Sequence, residues 1–187
     1  MIFKTKTIIA VTRKYVIGAR VRLRDKKVVK AFQSEWDYIL LNDVMEKLKT
    51  ALNAKKVRVL ISDDLSYTLR LKIPVDLTGE QERAFIYEKI KEEIPENLDD
   101  SEWDFKVYRK ETIAKTEDEK EIFIFAPVKR LYQGMVESFD KLGISVEAIE
   151  PQVIASARHP NPLVGLALKK DLKGKDEEVL NLMLTEN

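Results

Sequence analysis

Side chains able to do chemistry are few in this chain, and their spacing is informative. Of 187 residues none is Cys and one is His. That removes disulfides, thiolate nucleophiles, Cys-ligated zinc and iron–sulfur centres, His clusters and HExxH sites. His159 stands in Arg158-His159-Pro160-Asn161-Pro162, a run that reads as a surface turn following a helix rather than as the seat of a catalytic base. Glycines fall at positions 18, 79, 134, 143, 165 and 174. A phosphate cradle needs them close together, because the backbone must approach the anion and often take positive φ. A Walker loop, a dinucleotide fingerprint and a kinase-type glycine-rich loop are therefore excluded by counting. Carboxylates remain. Asp63-Asp64 follow a strand and Glu46 lies on the preceding helix, places from which a two-metal nuclease draws ligands. The strand that would supply the third ligand reads Ile8-Ile-Ala-Val-Thr12, with no acid, so Asp63-Asp64 reads as a turn. No metal and no cofactor is expected. Arg20, Arg22 and Arg24, two apart, make the one basic stripe; a solvated edge strand accounts for it more simply than phosphate tracking does.

The elements that must position these residues follow from periodicity. Three β-rich runs, 7–12, 15–23 and 27–36, are separated by Arg13-Lys14 and Asp25-Lys26 and predict an antiparallel meander. In the third, Val29, Ala31 and Gln33 alternate with Val28, Lys30, Phe32 and Ser34. Asn42 is placed to cap a helix carrying Val44, Met45, Leu48 and Leu52, and a short strand follows at 57–61. From Ser66 the pattern restarts. Tyr67, Leu69, Leu71 and Ile73 alternate with Thr68, Arg70, Lys72 and Pro74, as in a strand with one wet face. Thr78-Gly-Glu-Gln81 has capping-box spacing and opens a helix with Ile86, Ile90 and Ile94, stopped by Pro95. Strands at 103–113 and 121–126 flank a charged loop at 114–120. A helix over 128–142 carries Leu131, Met135 and Phe139 on one stripe and ends at Gly143. A strand at 144–149 and a short helix beginning with Pro151 complete the ordered pattern. Beyond Pro160, two apolar islets, Leu163–Leu168 and Val179–Leu184, flank a charged linker, as in a tail that docks.

With 33 Lys+Arg against 32 Asp+Glu the net charge is +1, which leaves no bulk field for nucleic acid or anionic lipid. No uncharged stretch approaches the roughly 18 residues of a membrane span, and the early Arg13 and Lys14 spoil a signal segment. A cytoplasmic protein is expected.

The order β-β-β-α-β, then a strand-helix-strand-strand-helix unit, then a returning strand and helix, resembles the first half of actin-like proteins of the PilM and FtsA type. In these a ribonuclease-H-like subdomain carries a small inserted SHS2 subdomain. The resemblance rests on Val59-Leu-Ile-Ser62 with Arg70-Leu-Lys-Ile-Pro74, Lys91-Glu-Glu-Ile-Pro95, Trp103-Asp-Phe-Lys-Val-Tyr108, Ile122-Phe-Ile-Phe-Ala126 and, most specifically, Lys141-Leu-Gly-Ile-Ser-Val-Glu-Ala-Ile-Glu-Pro151. It implies an α/β (α+β) half-domain: residues 1–64 with 144–160 as the ribonuclease-H-like part, 65–143 as the insert, and 161–187 as a tail. The family's first phosphate loop is Asp-x-Gly-Ser/Thr, and here that place reads Ala10-Val-Thr-Arg-Lys-Tyr-Val-Ile-Gly18. The resemblance thus implies a non-enzymatic scaffold of a type IV pilus or type II secretion-like machine that has lost nucleotide binding. Its partner would be a short peptide of an inner-membrane assembly protein, which would recruit it to the inner face of the membrane without insertion. The residues implicated are Arg70, Leu71 and Ile73, with Leu180, Asn181 and Leu182 available for self-association through the tail. The alternatives are a degenerate ribonuclease-H-like nucleic-acid-binding protein and an FtsA-like component of cell division.

Overall fold

The computed structural model describes residues 4–108 and 119–157. His159, Leu180, Asn181 and Leu182 lie outside them, as do both apolar islets of the tail. The chain divides into two units, one formed by the residues up to Leu65 together with those from Gln133 onward, the other by Ser66–Tyr132. The sequence reading sets the insert at 65–143, whereas the second unit runs from Ser66 to Tyr132 and ends inside a helix.

The first unit is built on a five-stranded sheet. Strands β1 (Thr5–Val11), β2 (Tyr15–Arg22) and β3 (Lys27–Glu35) form the expected meander, helix α1 (Leu41–Leu52) crosses over, and β4 (Lys56–Ile61) returns parallel to β1. Strand β8 (Ser145–Pro151) adds parallel to β4, giving the order β3-β2-β1-β4-β8. Central strands paired on both sides and covered on both faces read as unbroken apolar runs, and Ile9, Ala10, Val11, Val59 and Ile61 have no exposed surface. On one face α1 sets Val44, Met45, Leu48 and Leu52 against the sheet. Gly18 makes that approach possible: a Cβ there would stand 2.7 Å from Leu52 Cδ1 and 3.0 Å from Leu48 Cδ1. On the opposite face the short helix α4 (Gln152–Ala157) brings Ala155 against Ala10, Ile17 and Leu60.

Four details depart from the sequence reading. Helix α1 begins at Leu41 without a side-chain cap. Its entry is fixed instead by Asp37, whose carboxylate accepts the Ile39 and Leu40 amides, both at 2.8 Å. In β3, Arg20 faces Lys30 but Val21 faces Val28, so Val29 is an extra residue, a β-bulge that moves Val28 to the other side of the sheet. Pro151 closes β8, in register with Ile61, rather than opening α4. Thr78 makes no cap to α2 (Gly79–Glu93); that entry is held by Lys120, which bonds the Leu77 carbonyl and pairs with Glu82 at 3.1 Å.

The second unit sets α2 on a three-stranded antiparallel sheet, ordered β5 (Ser66–Pro74), β7 (Glu119–Pro127), β6 (Asp104–Tyr108). Ile86, Ile90 and Ile94, one helical turn apart, meet Ile73, Ile122, Ile124, Leu98 and Trp103 in a closed apolar cluster. At ~1.5–3 kcal/mol per fully buried large side chain, these contacts outweigh any single surface interaction in the unit. Trp103 lies nearly parallel to Tyr87, with ring centroids 6.1 Å apart, and the Arg83 guanidinium sits 4.1 Å from its ring. Helix α3 (Lys129–Leu142) begins in this unit, with its Lys129 amide capped by Glu96 at 2.8 Å. Glu102, buried beside it, holds the Lys129 ammonium above its ordinary pKa.

Candidate functional site: an open strand edge and a closed hairpin

Strand β5 carries the sequence-selected Arg70, Leu71 and Ile73. Its nine residues pair with β7 without interruption, from Ser66 opposite Pro127 to Pro74 opposite Glu119. Among the described residues β7 is its one neighbour, so β5 is an edge strand of this sheet. Alternation splits its side chains as expected. Thr68, Arg70, Lys72 and Pro74 are exposed, while Tyr67, Leu69 and Leu71 lean onto the α2 cluster. Arg70 donates to Glu121 at 2.8 Å, and the Lys72 ammonium is 3.9 Å from Glu119, diagonal pairs along the outer face of the sheet.

Of the three expected β5 contact residues, Arg70 lies on the outer face of the strand and Leu71 and Ile73 on the face turned to α2. Ile73 is corrected: it has no exposed surface and belongs to the core under α2, because inward residues of a strand over a helix fill the core where that helix covers them. Leu71, toward the middle of the strand, is half-buried on the α2 face, the side opposite to Arg70.

The place where an actin-like phosphate loop would lie is a tight hairpin between β1 and β2. The Thr12 amide donates to the Tyr15 carbonyl at 2.9 Å, the Tyr15 amide donates to Thr12 Oγ1 at 3.0 Å, and Trp36 Nε1 donates to the Thr12 carbonyl at 2.8 Å. A phosphate loop works by leaving such amides free to point at an anion; here they close the turn on itself. Sequence reading found the missing aspartate and glycine but not this latch. The signal for it was Trp36 at the end of β3, whose indole N–H requires a partner when buried.

Two of the three arginines of the basic stripe, Arg20 and Arg22, are engaged within the fold. Arg20 donates to Thr5 Oγ1 at 3.0 Å and to the Leu52 carbonyl at 3.1 Å, so it satisfies the C-terminal end of α1. Arg22 binds Asp25 through two bonds, of 2.8 and 2.6 Å, and holds that carboxyl down to about 2. Asp63 and Asp64 form a short 3-10 turn in which Asp64 accepts the Ser62 hydroxyl. Among the described residues no group of three acidic or His side chains is arranged to hold a metal ion.

A feature not singled out from sequence is the apolar knuckle Tyr38-Ile39-Leu40. It leaves 38%, 86% and 47% of these residues exposed, and it is stiffened by Asp37 and by the edge-on Trp36–Tyr38 contact.

With this geometry the chain can be compared with known proteins. No protein-family model matches the sequence, and no curated protein matches it. Solved structures do. The cytoplasmic domain of EpsL, an inner-membrane component of the type II secretion system of Vibrio cholerae, superposes with a TM-score of 0.56 at 14% identity, over 84% of this chain and 61% of that one. The PilM-PilN type IV pilus biogenesis complex superposes at 0.63 and 10% identity, over 81% of this chain and 48% of that one. The chain has an actin-like fold. It spans less than two thirds of the length of either match. Among the described residues no helix is long and apolar enough to cross a membrane.

Proposed function

We propose that this chain is a non-enzymatic scaffold of a type IV pilus or type II secretion-like assembly machine, working on the cytoplasmic side and binding a short extended peptide of an inner-membrane partner along β5. The observation that carries the reading is the uninterrupted nine-residue edge of β5. An extended peptide added there gains main-chain hydrogen bonds for affinity, and alternate side chains set specificity. Thr68, Arg70 and Lys72 would read one side of the peptide, and the half-buried Leu69 and Leu71 the other. Two further observations support it. The superposed proteins include a cytoplasmic domain of an inner-membrane secretion component and a pilus complex of two proteins. The hairpin amides that a nucleotide phosphate would need are spent on Thr12 and Tyr15, which favours binding without catalysis.

The test is capture from detergent-solubilised membranes of the native cell, followed by titration of the captured protein's cytoplasmic leader as a synthetic peptide. Submicromolar to micromolar binding should survive 500 mM salt and be abolished by N-methylating alternate peptide amides, since added-strand affinity is main-chain rather than ionic. Binding that tolerates N-methylation would refute the edge, and a melting transition raised by millimolar Mg-ATP would refute the loss of nucleotide binding.

A further inference from the structure

From Ser66 to Pro74, strand β5 holds two cations and no acid. Arg70 and Lys72 stand two apart on its outer face, with side chains 68% and 66% exposed. The next acid along the chain, Asp76, lies beyond the strand's end. The neighbouring β7 has the reverse pattern on the same face. Glu121 stands opposite Lys72 and Glu119 opposite Pro74, and the ion pairs run diagonally, from Arg70 to Glu121 and from Lys72 to Glu119. The outer face of the sheet therefore carries a column of carboxylates on β7 and then a column of cations on β5.

We infer that the chain paired along β5 is an extended peptide bearing two carboxylates, on residues two apart, beside Arg70 and Lys72, with an apolar residue between them. This rests on the reading of β5 as a peptide-binding edge and adds which peptide the edge takes. Parity sets the spacing. Residues opposite one another on paired strands share a face, so a strand beside Arg70 and Lys72 turns every second side chain toward them. Opposite charges facing each other there favour pairing and like charges oppose it. Acids in a third column continue the alternation, each cation being shared between two carboxylates. The residue between the acids falls on the face of Leu69 and Leu71, which are half-buried against the α2 cluster, and an apolar side chain fits there. The same rule disfavours a second copy of this chain. An antiparallel pair of β5 strands sets Arg70 against Arg70, Arg70 against Lys72 or Lys72 against Lys72 in the three registers centred on the cations, and each of these is a like-charge pair.

The test selects nine-residue peptides, the length of β5, from a random displayed library on the full-length protein at about 50 mM salt, where surface charges are weakly screened. The expected result is enrichment of Asp or Glu at two positions two apart, with an apolar residue between. A synthetic peptide of the selected sequence should bind roughly fivefold more weakly with both acids changed to Gln, and roughly twentyfold more weakly with both changed to Lys. That discrimination should shrink at about 500 mM salt while binding itself persists. Arg70→Glu with Lys72→Glu should turn the preference toward Lys and Arg. Arg70→Gln with Lys72→Gln should abolish it, and it carries the test where the reversed charges beside Glu119 and Glu121 unsettle the fold. Selected peptides without the paired acids, or an acid preference that both double variants leave intact, would overturn the inference while the β5 edge stands. A library that yields no binder, or binders indifferent to N-methylation of alternate amides, would overturn the reading of β5 itself and the inference with it.

Discussion

Replacing Gly18 with Ala tests whether the spacing between β2 and α1 is as close as it stands. The added Cβ would meet Leu52 Cδ1 at 2.7 Å and Leu48 Cδ1 at 3.0 Å, closer than buried carbon atoms come without movement. Both leucines are fully buried, so neither can swing into water, and overpacking of this kind costs roughly 1–3 kcal/mol. Against it stands the backbone entropy that Ala saves over Gly in a strand, roughly 0.5–1 kcal/mol. The net expectation is a loss of about 1–2 kcal/mol, read by urea denaturation as a lower midpoint with an unchanged slope. In a thermal scan it becomes a fall of about 2–8 °C for a chain of this size. Relief should be specific. Leu52→Val removes a methylene and alone costs on the order of 1 kcal/mol, yet combined with Gly18→Ala it should give less than the sum, with a coupling of at least ~0.5 kcal/mol. An alanine variant as stable as the parent, or strictly additive with Leu52→Val, would refute the close approach.

Other outcomes follow from the same geometry. Ile73→Ala should destabilise by about 2–5 kcal/mol while Arg70→Ala, whose side chain is 68% exposed, should change stability by less than ~1 kcal/mol; denaturation of both variants separates core from surface on β5. Trp36→Phe leaves a smaller aromatic ring and removes the bond to the Thr12 carbonyl, so it should cost at least about 1 kcal/mol and speed hydrogen exchange at the Thr12 and Tyr15 amides, followed by NMR. Asp25 has its carboxyl depressed to about 2 by the Arg22 guanidinium. A depressed acid favours the folded state above its unfolded pKa near 4 and loses that contribution as pH falls toward 2. Asp25→Asn should therefore flatten the acid limb of stability between about pH 4 and 2, measured by denaturation at each pH.

The legible parts were those dictated by repeated burial. Tyr67, Leu69, Leu71 and Ile73 alternate because one face of β5 is covered by a helix, and Ile86, Ile90 and Ile94 recur because one stripe of α2 does the covering. Each sets a period that any reader of the chain can find. Helix entries were not legible. Asn42 and Thr78 have good capping chemistry, yet Asp37 and Lys120 hold the two starts, since a side chain several residues or a whole strand away can reach the same backbone groups. The bulge at Val29 was visible only as an imperfect alternation, because its cause is the pairing with β2. Within the candidate site, Arg70 and Leu71 could be placed by parity alone. Which inward residue is sealed and which keeps a surface depends on where α2 ends over the strand, and that is a property of packing.

The extra residue at Val29 has a consequence for how the protein behaves in a crowded cell. A straight outer margin on the five-stranded sheet would offer an evenly spaced template on which unrelated chains, or copies of this one, could polymerise. By twisting that margin out of line, the kink spoils the template on the β3 side, whereas β5 keeps an even one. Indiscriminate growth is thereby discouraged at the β3 border, while the even border at β5 stays suited to an added strand.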